Sequence, residues 1–313
     1  MNALCEQFDS VRLNFSETSL MFLDISLAII MFGVALNLKV EDFQRVIKQP
    51  KAPLIGVLSQ FLILPALTLG FVLILGALGD AGWGVFCPSM ALGMFLVAAC
   101  PGGNVSNFIS LLAKGNVALS VSLSAIATLG AIVMTPINFL FWSQWYEPAA
   151  SILREIDMDP VSIFVKILLI LAIPLAIGML TASRFPGFTA KITKPIRILS
   201  IVIFGGYIIG ALAGNWDFVV TYVKYVILIV FFHNIIALSC GYFLGSLGKL
   251  PRADRRSIAI ETGIQNSGLG LVLIFGPVFD GMGGMAMVAA MWGIWHLISG
   301  ISLASVWSRI SVN

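Results

Sequence analysis

Nine long apolar segments constrain this chain more than any other feature of its sequence. Each is near or above the roughly 20 residues that cross the hydrocarbon core of a bilayer as an α-helix. They fall at residues 19–38, 53–78, 84–113, 119–143, 161–183, 198–216, 220–247, 257–278 and 283–308. The short alternating segments of membrane β-barrels are not found. The pattern predicts an all-α polytopic membrane protein with about nine transmembrane helices.

Composition excludes the other broad classes of protein. Hydrophobic residues make up 59% of the 313 residues and charged residues only 11%, whereas soluble domains carry about 25% charged residues. A net charge of +3 without a basic cluster argues against nucleic-acid binding. The four cysteines are too few for a disulfide scaffold. Three of them, Cys87, Cys100 and Cys240, lie in apolar runs, where we expect small buried thiols.

The basic residues predict the orientation of the chain. If the N-terminus lies outside, 14 of the 18 Lys and Arg residues fall in cytoplasmic loops or at the cytoplasmic C-terminus, as the positive-inside rule requires. Residues 1–18 lack the basic region and short apolar core of a cleaved signal peptide. We therefore expect a cell-membrane protein with an extracellular or periplasmic segment at 1–18 and a cytoplasmic C-terminus.

Two of the nine segments contain residues that a plain spanning helix does not favour. Cys100-Pro101-Gly102-Gly103-Asn104-Val105-Ser106-Asn107 interrupts the third, and Glu261-Thr262-Gly263-Ile264-Gln265-Asn266-Ser267-Gly268 interrupts the eighth. Proline removes a backbone donor and glycine loosens the chain, so we expect discontinuous helices. The breaks are five spans apart, so the two segments run in opposite directions. That arrangement is typical of inverted-topology repeats, here 19–143 and 161–308, whose broken helices meet at a midplane site.

Glu261 is the one carboxylate placed deep within a predicted span. Intramembrane carboxylates normally mark an ion or proton pathway. Its neighbours supply hydroxyl and amide oxygens, which suit a monovalent hard cation better than a soft or transition metal. Ion coordination is the favoured interpretation, and proton carrying and structural pairing remain alternatives.

Several other polar residues lie within predicted spans. Gln60 precedes Pro65 by five residues, and Ser120 and Ser124 share one helix face. Such serines commonly bond to their own helix backbone. His233, next to Asn234, and His296 can serve either packing or a substrate. Two isolated histidines do not make a metal site, and no catalytic triad or metal constellation indicates an enzyme.

With these motifs in view, the chain resembles the bile acid:sodium symporter family. The resemblance rests on both interrupted motifs, on Gly115-Asn116-Val117-Ala118-Leu119-Ser120-Val121, on Trp295-His296 with Ser299-Gly300, and on an early stretch from Ile30 to Leu38. It runs from about residue 25 to 305. It implies a core domain from 53–143 and 220–308, a panel domain from 19–38 and 161–216, a first repeat that lacks one span, and two crossing broken helices.

The resemblance also implies two sodium sites that share Glu261. The first would use Ser106, Asn107, Ser120, Ser124 and Glu261. The second would use Gln60, Glu261, Thr262, the backbone of Ile264, and Gln265.

The function implied is sodium-coupled symport of a small organic anion, a bile acid or a smaller carboxylate, by alternating access. Asn104, Asn266 and His296 are the expected substrate-binding residues. Asn104 and Ser124 stand where many members have Thr, and Leu297 where several have Asn. The alternatives are a metalloid efflux transporter of the same superfamily, which Cys100 permits, and a non-transporting membrane receptor. Sodium, the anion and the lipid bilayer are the expected partners, without an obligate protein partner.

Overall fold

The computed structural model of this chain describes residues 3–11, 25, 28, 29, 31–36, 47–82, 84–103, 105–155, 160–214, 216–276, 279 and 281–311. The expected substrate residue Asn104 and most of the predicted first span, 19–38, lie outside these residues.

The described residues form helices connected by short turns. In chain order these are α1 (Ala3–Ser10), α2 (Lys51–Leu58), a π-helical turn (Ser59–Ile63), α3 (Leu64–Asp80), α4 (Pro88–Ala99), α5 (Val105–Leu112), α6 (Val117–Ser143), α7 (Glu147–Glu155), α8 (Pro160–Arg184), α9 (Pro186–Gly214), α10 (Trp216–Leu247), α11 (Arg252–Gly263), α12 (Ser267–Phe275) and α13 (Gly283–Ser308).

Four stretches of helix in the described part of the chain are long and apolar enough to cross a membrane. They are Lys51–Asp80, Val117–Ser143, Val219–Leu247 and Gly283–Ser308, and they match four of the predicted spans to within a few residues. Helix α7 lies in a stretch predicted only as a loop. Large apolar side chains such as Ile74 and Phe243 are exposed on these helices, as expected where lipid is the solvent.

Both predicted interruptions are present. Helix α4 ends at Ala99 because Cys100 is extended, with ψ 154°, and the next residue is a proline. Helix α11 ends at Gly263 because Ile264 is likewise extended. Helices α5 and α12 then begin after short unwound stretches. The third and eighth apolar segments are therefore each two half-helices.

The two unwound stretches lie against each other. The N–H of Gly103 donates to the Ile264 carbonyl at 2.7 Å, and the N–H of Asn266 donates to the Pro101 carbonyl at 2.8 Å. They form an antiparallel bridge between Gly102 and Gln265. Each break therefore supplies hydrogen-bond partners for backbone groups that the other exposes, which an apolar environment requires.

Close helix packing holds these half-helices in place. Gly93 of α4 lies against α13, where an added Cβ would be 2.9 Å from Val288 Cβ. Gly241 of α10 lies against α11, where an added Cβ would be 2.6 Å from the Ile258 oxygen. Small residues at such contacts allow helix backbones to approach closely in membranes. The buried Trp292 and Phe95 fill the adjoining core.

The N-terminal helix is fastened to the start of α4. Cys5 and Cys87 form a disulfide, with the Cα atoms 5.1 Å apart. Phe8 is fully buried, and the Asp9 carboxylate accepts the N–H of Ser89 in the first turn of α4. The expectation that Cys87 is a free thiol is wrong, because Cys87 lies at the N-cap of α4 beside α1 rather than in a helix interior. Cys100 and Cys240 are free and buried, as expected.

Candidate functional site

A buried carboxylate lies where the two breaks meet. Glu261, in the last turn of α11, is 3% exposed. Its Oε2 accepts from Ser106 Oγ at 2.5 Å and Ser120 Oγ at 3.1 Å, and its Oε1 accepts from Ser124 Oγ at 2.6 Å. Three helices, α5, α6 and α11, thus contribute to one cluster of oxygen atoms.

Asn107 completes the residues expected at the first sodium site. Its Oδ1 lies 3.4 Å from Ser124 Oγ. The structure therefore brings together all five of these side chains, from residues up to 155 positions apart. Each serine hydroxyl donates a hydrogen bond to the carboxylate. Its oxygen lone pairs can still contact a cation.

Glu261 has no ion-pair partner among the described residues. A buried carboxylate without a counter-charge is costly, and hydroxyl donors offset only part of that cost. A bound monovalent cation would supply the missing positive charge. Besides the carboxylate, the side chains at this site supply the hydroxyl and amide oxygens of three serines and Asn107, and neutral oxygens suit a hard cation.

Glycine at position 102 makes room for the carboxylate. An added Cβ there would lie 2.5 Å from Glu261 Oε1 and 3.0 Å from its Cδ. The side chain of Glu261 therefore lies directly against the unwound backbone of the first break. The sequence indicates Gly102 only as a helix breaker. In the structure, its lack of a side chain also leaves the space that the carboxylate occupies.

Three of the residues expected at the second sodium site, Gln60, Thr262 and Gln265, contact one another. Gln60 Nε2 donates to Gln265 Oε1 at 2.9 Å, and Gln265 Nε2 donates to Gln60 Oε1 at 3.2 Å and to the Thr262 carbonyl at 2.6 Å. The Ile264 carbonyl accepts from Gly103. Both amide oxygens are therefore engaged by each other's N–H groups. For a cation to bind there, each amide oxygen would have to give up its hydrogen bond from the other amide and contact the cation instead.

A π-helical turn presents Gln60. The N–H of Leu64 donates to the Ser59 carbonyl, five residues earlier. The next residue, Pro65, has no N–H, so the regular ladder cannot continue at that point. Such turns are frequent at functional sites. The sequence showed Pro65 near Gln60 but did not indicate the π turn.

Side chains from neighbouring helices satisfy the carbonyls that the breaks expose. Thr135 Oγ1 donates to the Ala99 oxygen at 2.7 Å. Gln60 Nε2 donates to the Cys100 oxygen at 2.7 Å, and Asn234 Nδ2 donates to the Gly263 oxygen at 2.8 Å. This role of Thr135 was not predicted from the sequence, because a threonine in a membrane helix commonly bonds to its own backbone.

His233 is occupied by a hydrogen-bond chain. Trp292 Nε1 can only donate, so Nδ1 of His233 accepts from it at 3.1 Å. The imidazole is therefore neutral, and its Nε2–H donates to Thr68 Oγ1 at 2.8 Å. The Thr68 hydroxyl in turn donates to the Leu64 carbonyl. This arrangement favours the packing interpretation of His233 over a substrate role.

The expected substrate residues that the structure describes lie beside the second break. Asn266 is the N-cap of α12, because its Oδ1 accepts the N–H of Leu269. His296 is 6% exposed, and its Nδ1 has no hydrogen-bond partner among the described residues. On α13 it shares a face with Gly293 and Gly300, whose added Cβ atoms would contact Ser267 and Ile264.

Comparison with known proteins identifies the family. The model of the sodium bile acid symporter family matches residues 24–222. An uncharacterized sodium-dependent transporter of Bacillus subtilis, YocS, is 32% identical over 292 residues, 92% of this chain and 83% of the relative.

Two eukaryotic relatives are longer than this chain. The probable sodium/metabolite cotransporter BASS1 of Arabidopsis thaliana chloroplasts is 30% identical over 91% of this chain and 66% of its own length. The human ileal sodium/bile acid cotransporter is 30% identical over 79% of this chain and 67% of its own length. The family and these relatives are transporters rather than enzymes. From the matched residues and these identities, we conclude that the chain belongs to the sodium bile acid symporter family.

Proposed function

We propose that the protein is a secondary transporter that couples the entry of sodium ions to the import of a small organic anion. The observation that carries the proposal is the buried carboxylate of Glu261, which accepts three hydroxyl hydrogen bonds where two broken helices meet. All three relatives described above are named as sodium-dependent transporters or sodium cotransporters, which supports sodium as the coupling ion.

Two sodium ions would bind where the two broken helices meet. The first would contact Glu261, Asn107 and the three serines. The second would also use Glu261 and would lie by Gln60, Thr262, Ile264 and Gln265. The C-terminal ends of α4 and α11 point into the breaks, and the negative ends of helix dipoles favour cations. A cation shared between α5, α6 and α11 would hold these elements in one arrangement. Any anion that prefers this arrangement would then bind more tightly with sodium present, which is coupling by linkage.

The anion would bind on the other side of the second break. The N-terminus of α12 carries a partial positive charge. Nearby, His296 has a buried ring nitrogen without a partner among the described residues, and Asn266 adds an amide. These groups fit a carboxylate attached to an apolar body. Bile acids and smaller carboxylates share that chemistry.

Movement between two domains would carry the anion across the membrane. The core domain would comprise 53–143 and 220–308, and the panel domain 19–38 and 161–216. The inverted repeats 19–143 and 161–308 would give the outward and inward states similar packing.

The disulfide supports the orientation derived from the basic residues. Disulfides persist in oxidising compartments and are rare in the cytosol. Cys5 and Cys87 would therefore lie on the extracellular or periplasmic side. An N-terminus outside the cell, as the positive-inside rule predicts, would account for this disulfide.

Reconstitution into proteoliposomes tests the proposal. Uptake of a panel of labelled bile acids, keto acids and other carboxylates is measured with an inward sodium gradient and with potassium in its place. At least one anion should accumulate only with sodium, and Glu261→Gln should abolish that accumulation. The matched control is Glu147→Gln, which removes an exposed carboxylate bonded to Arg154. Sodium-independent uptake of every transported anion would contradict the proposal.

A further inference from the structure

The three helices around Glu261 are also joined at a second point, where α5 ends and α6 and α11 begin. The turn between α5 and α6, residues 113–116, packs on the first turns of α11. Arg256, 3% exposed, donates through Nη1 to the Ala113 carbonyl at the end of α5. Gly115 allows the approach, because an added Cβ would lie 2.7 Å from Ser257 Oγ.

Asn116 uses all of its polar groups at this junction. Its N–H donates to the Ala253 carbonyl, its carbonyl accepts from Ser257 Oγ at 2.9 Å, and its Nδ2 donates to Asp254 Oδ1 at 2.8 Å. Its Oδ1 caps α6 by accepting the N–H of Leu119. One residue thus starts α6 and attaches it to α11.

The attachment sets the register of the residues that surround the carboxylate. Ser120 and Ser124 lie one and two helical turns beyond Asn116 on α6, and Glu261 lies four residues beyond Ser257 on α11. A helix rises about 1.5 Å per residue. If α6 slid by one residue along α11, the serine oxygens would move by about 1.5 Å relative to Glu261. That shift exceeds the narrow range of hydrogen-bond distances, so the bonds would break.

We propose that Asn116 and Asp254 are a positioning pair that sets the affinity of the Glu261 site for sodium. The inference rests on the proposed function, since it assumes that sodium binds there. Neither residue contacts the carboxylate. The pair acts by fixing the register of α6 against α11, which keeps the hydroxyls of Ser120 and Ser124 within hydrogen-bond distance of Glu261.

Sodium titration of the purified protein tests the pair. The thermal unfolding temperature is measured against sodium concentration, with choline keeping the ionic strength constant. Asn116→Ala and Asp254→Ala should each raise the half-saturating sodium concentration about tenfold, as expected when one member of a coupled network is removed. The matched control, Asp217→Ala, removes a first-turn carboxylate of α10 and should leave the sodium midpoint unchanged.

A reciprocal exchange separates positioning from mere folding. In Asn116→Asp with Asp254→Asn, the new carboxylate still caps α6 and accepts from the new amide. This double variant should recover a sodium midpoint within about twofold of the wild type. Single variants that unfold at lower temperature but keep the wild-type midpoint would overturn the inference alone. A wild type that shows no sodium-specific stabilisation would overturn the proposed function and the inference together.

Discussion

Replacing Gly102 with alanine tests whether the carboxylate site depends on the unwound backbone. The new methyl carbon would lie 2.5 Å from Glu261 Oε1, about 0.9 Å inside the 3.4 Å at which ordinary contact begins. The carboxylate cannot withdraw freely, because Ser106 and Ser124 hold its two oxygens at 2.5 and 2.6 Å. The backbone is equally restrained by the hydrogen bonds between the two breaks.

The expected cost follows from this crowding. Forcing one extra methyl group into a well-packed site costs about 1–3 kcal/mol. If that cost falls on the sodium-bound arrangement, sodium affinity drops by about 5- to 150-fold. We expect Gly102→Ala to raise the sodium concentration needed for half-maximal uptake by a factor in that range.

The assay compares two glycine-to-alanine variants in proteoliposomes. Gly70 of α3 has no atom within 4 Å of an added Cβ, so Gly70→Ala should leave the sodium dependence unchanged and stabilise its helix by up to about 1 kcal/mol. Uptake is measured against external sodium for both. Equal, wild-type sodium dependence in the two variants would refute the placement of Glu261 against Gly102.

Three further predictions concern orientation and stability. In intact cells, a membrane-impermeant maleimide should label Cys5 and Cys87 only after an impermeant reductant, and labelling that requires permeabilised cells would contradict the proposed orientation. Thr135→Val should lower the free energy of unfolding by about 1–3 kcal/mol, because it leaves a buried carbonyl of α4 without a donor. Thr221→Val, which removes a bond to its own helix, should be near neutral in the same thermal unfolding assay, and equal losses would refute the role of Thr135. Arg256→Met should cost about 2 kcal/mol by leaving the buried carbonyl of Ala113, at the end of α5, without a donor. An unchanged unfolding temperature would refute this capping.

The sequence predicted the helix breaks and the buried carboxylate because both contradict their surroundings. Pro101 and its glycines disfavour a continuous helix, and a carboxylate such as Glu261 is costly in an apolar span unless it is paired or binds an ion. Such conflicts are visible without a structure. The spans containing Gln60 and Ser120 were likewise predicted, since their apolar length is set by the bilayer.

Long-range pairings could not be predicted in the same way. Thr135 reaches a carbonyl 36 residues away, and Cys5 reaches Cys87 across 82 residues. Local sequence contains no signal for either pairing. The cap formed by Asn266 is different, because an asparagine directly before a helix is a common N-cap that local rules could have identified.

The most direct test of the account is the binding of radioactive sodium to the purified protein at equilibrium, without any anion. The account predicts saturable binding that approaches two sodium ions per molecule and that Glu261→Gln removes. Wild-type protein that binds no sodium saturably, or Glu261→Gln protein that binds as much as the wild type, would contradict the central claim that this carboxylate is the sodium site.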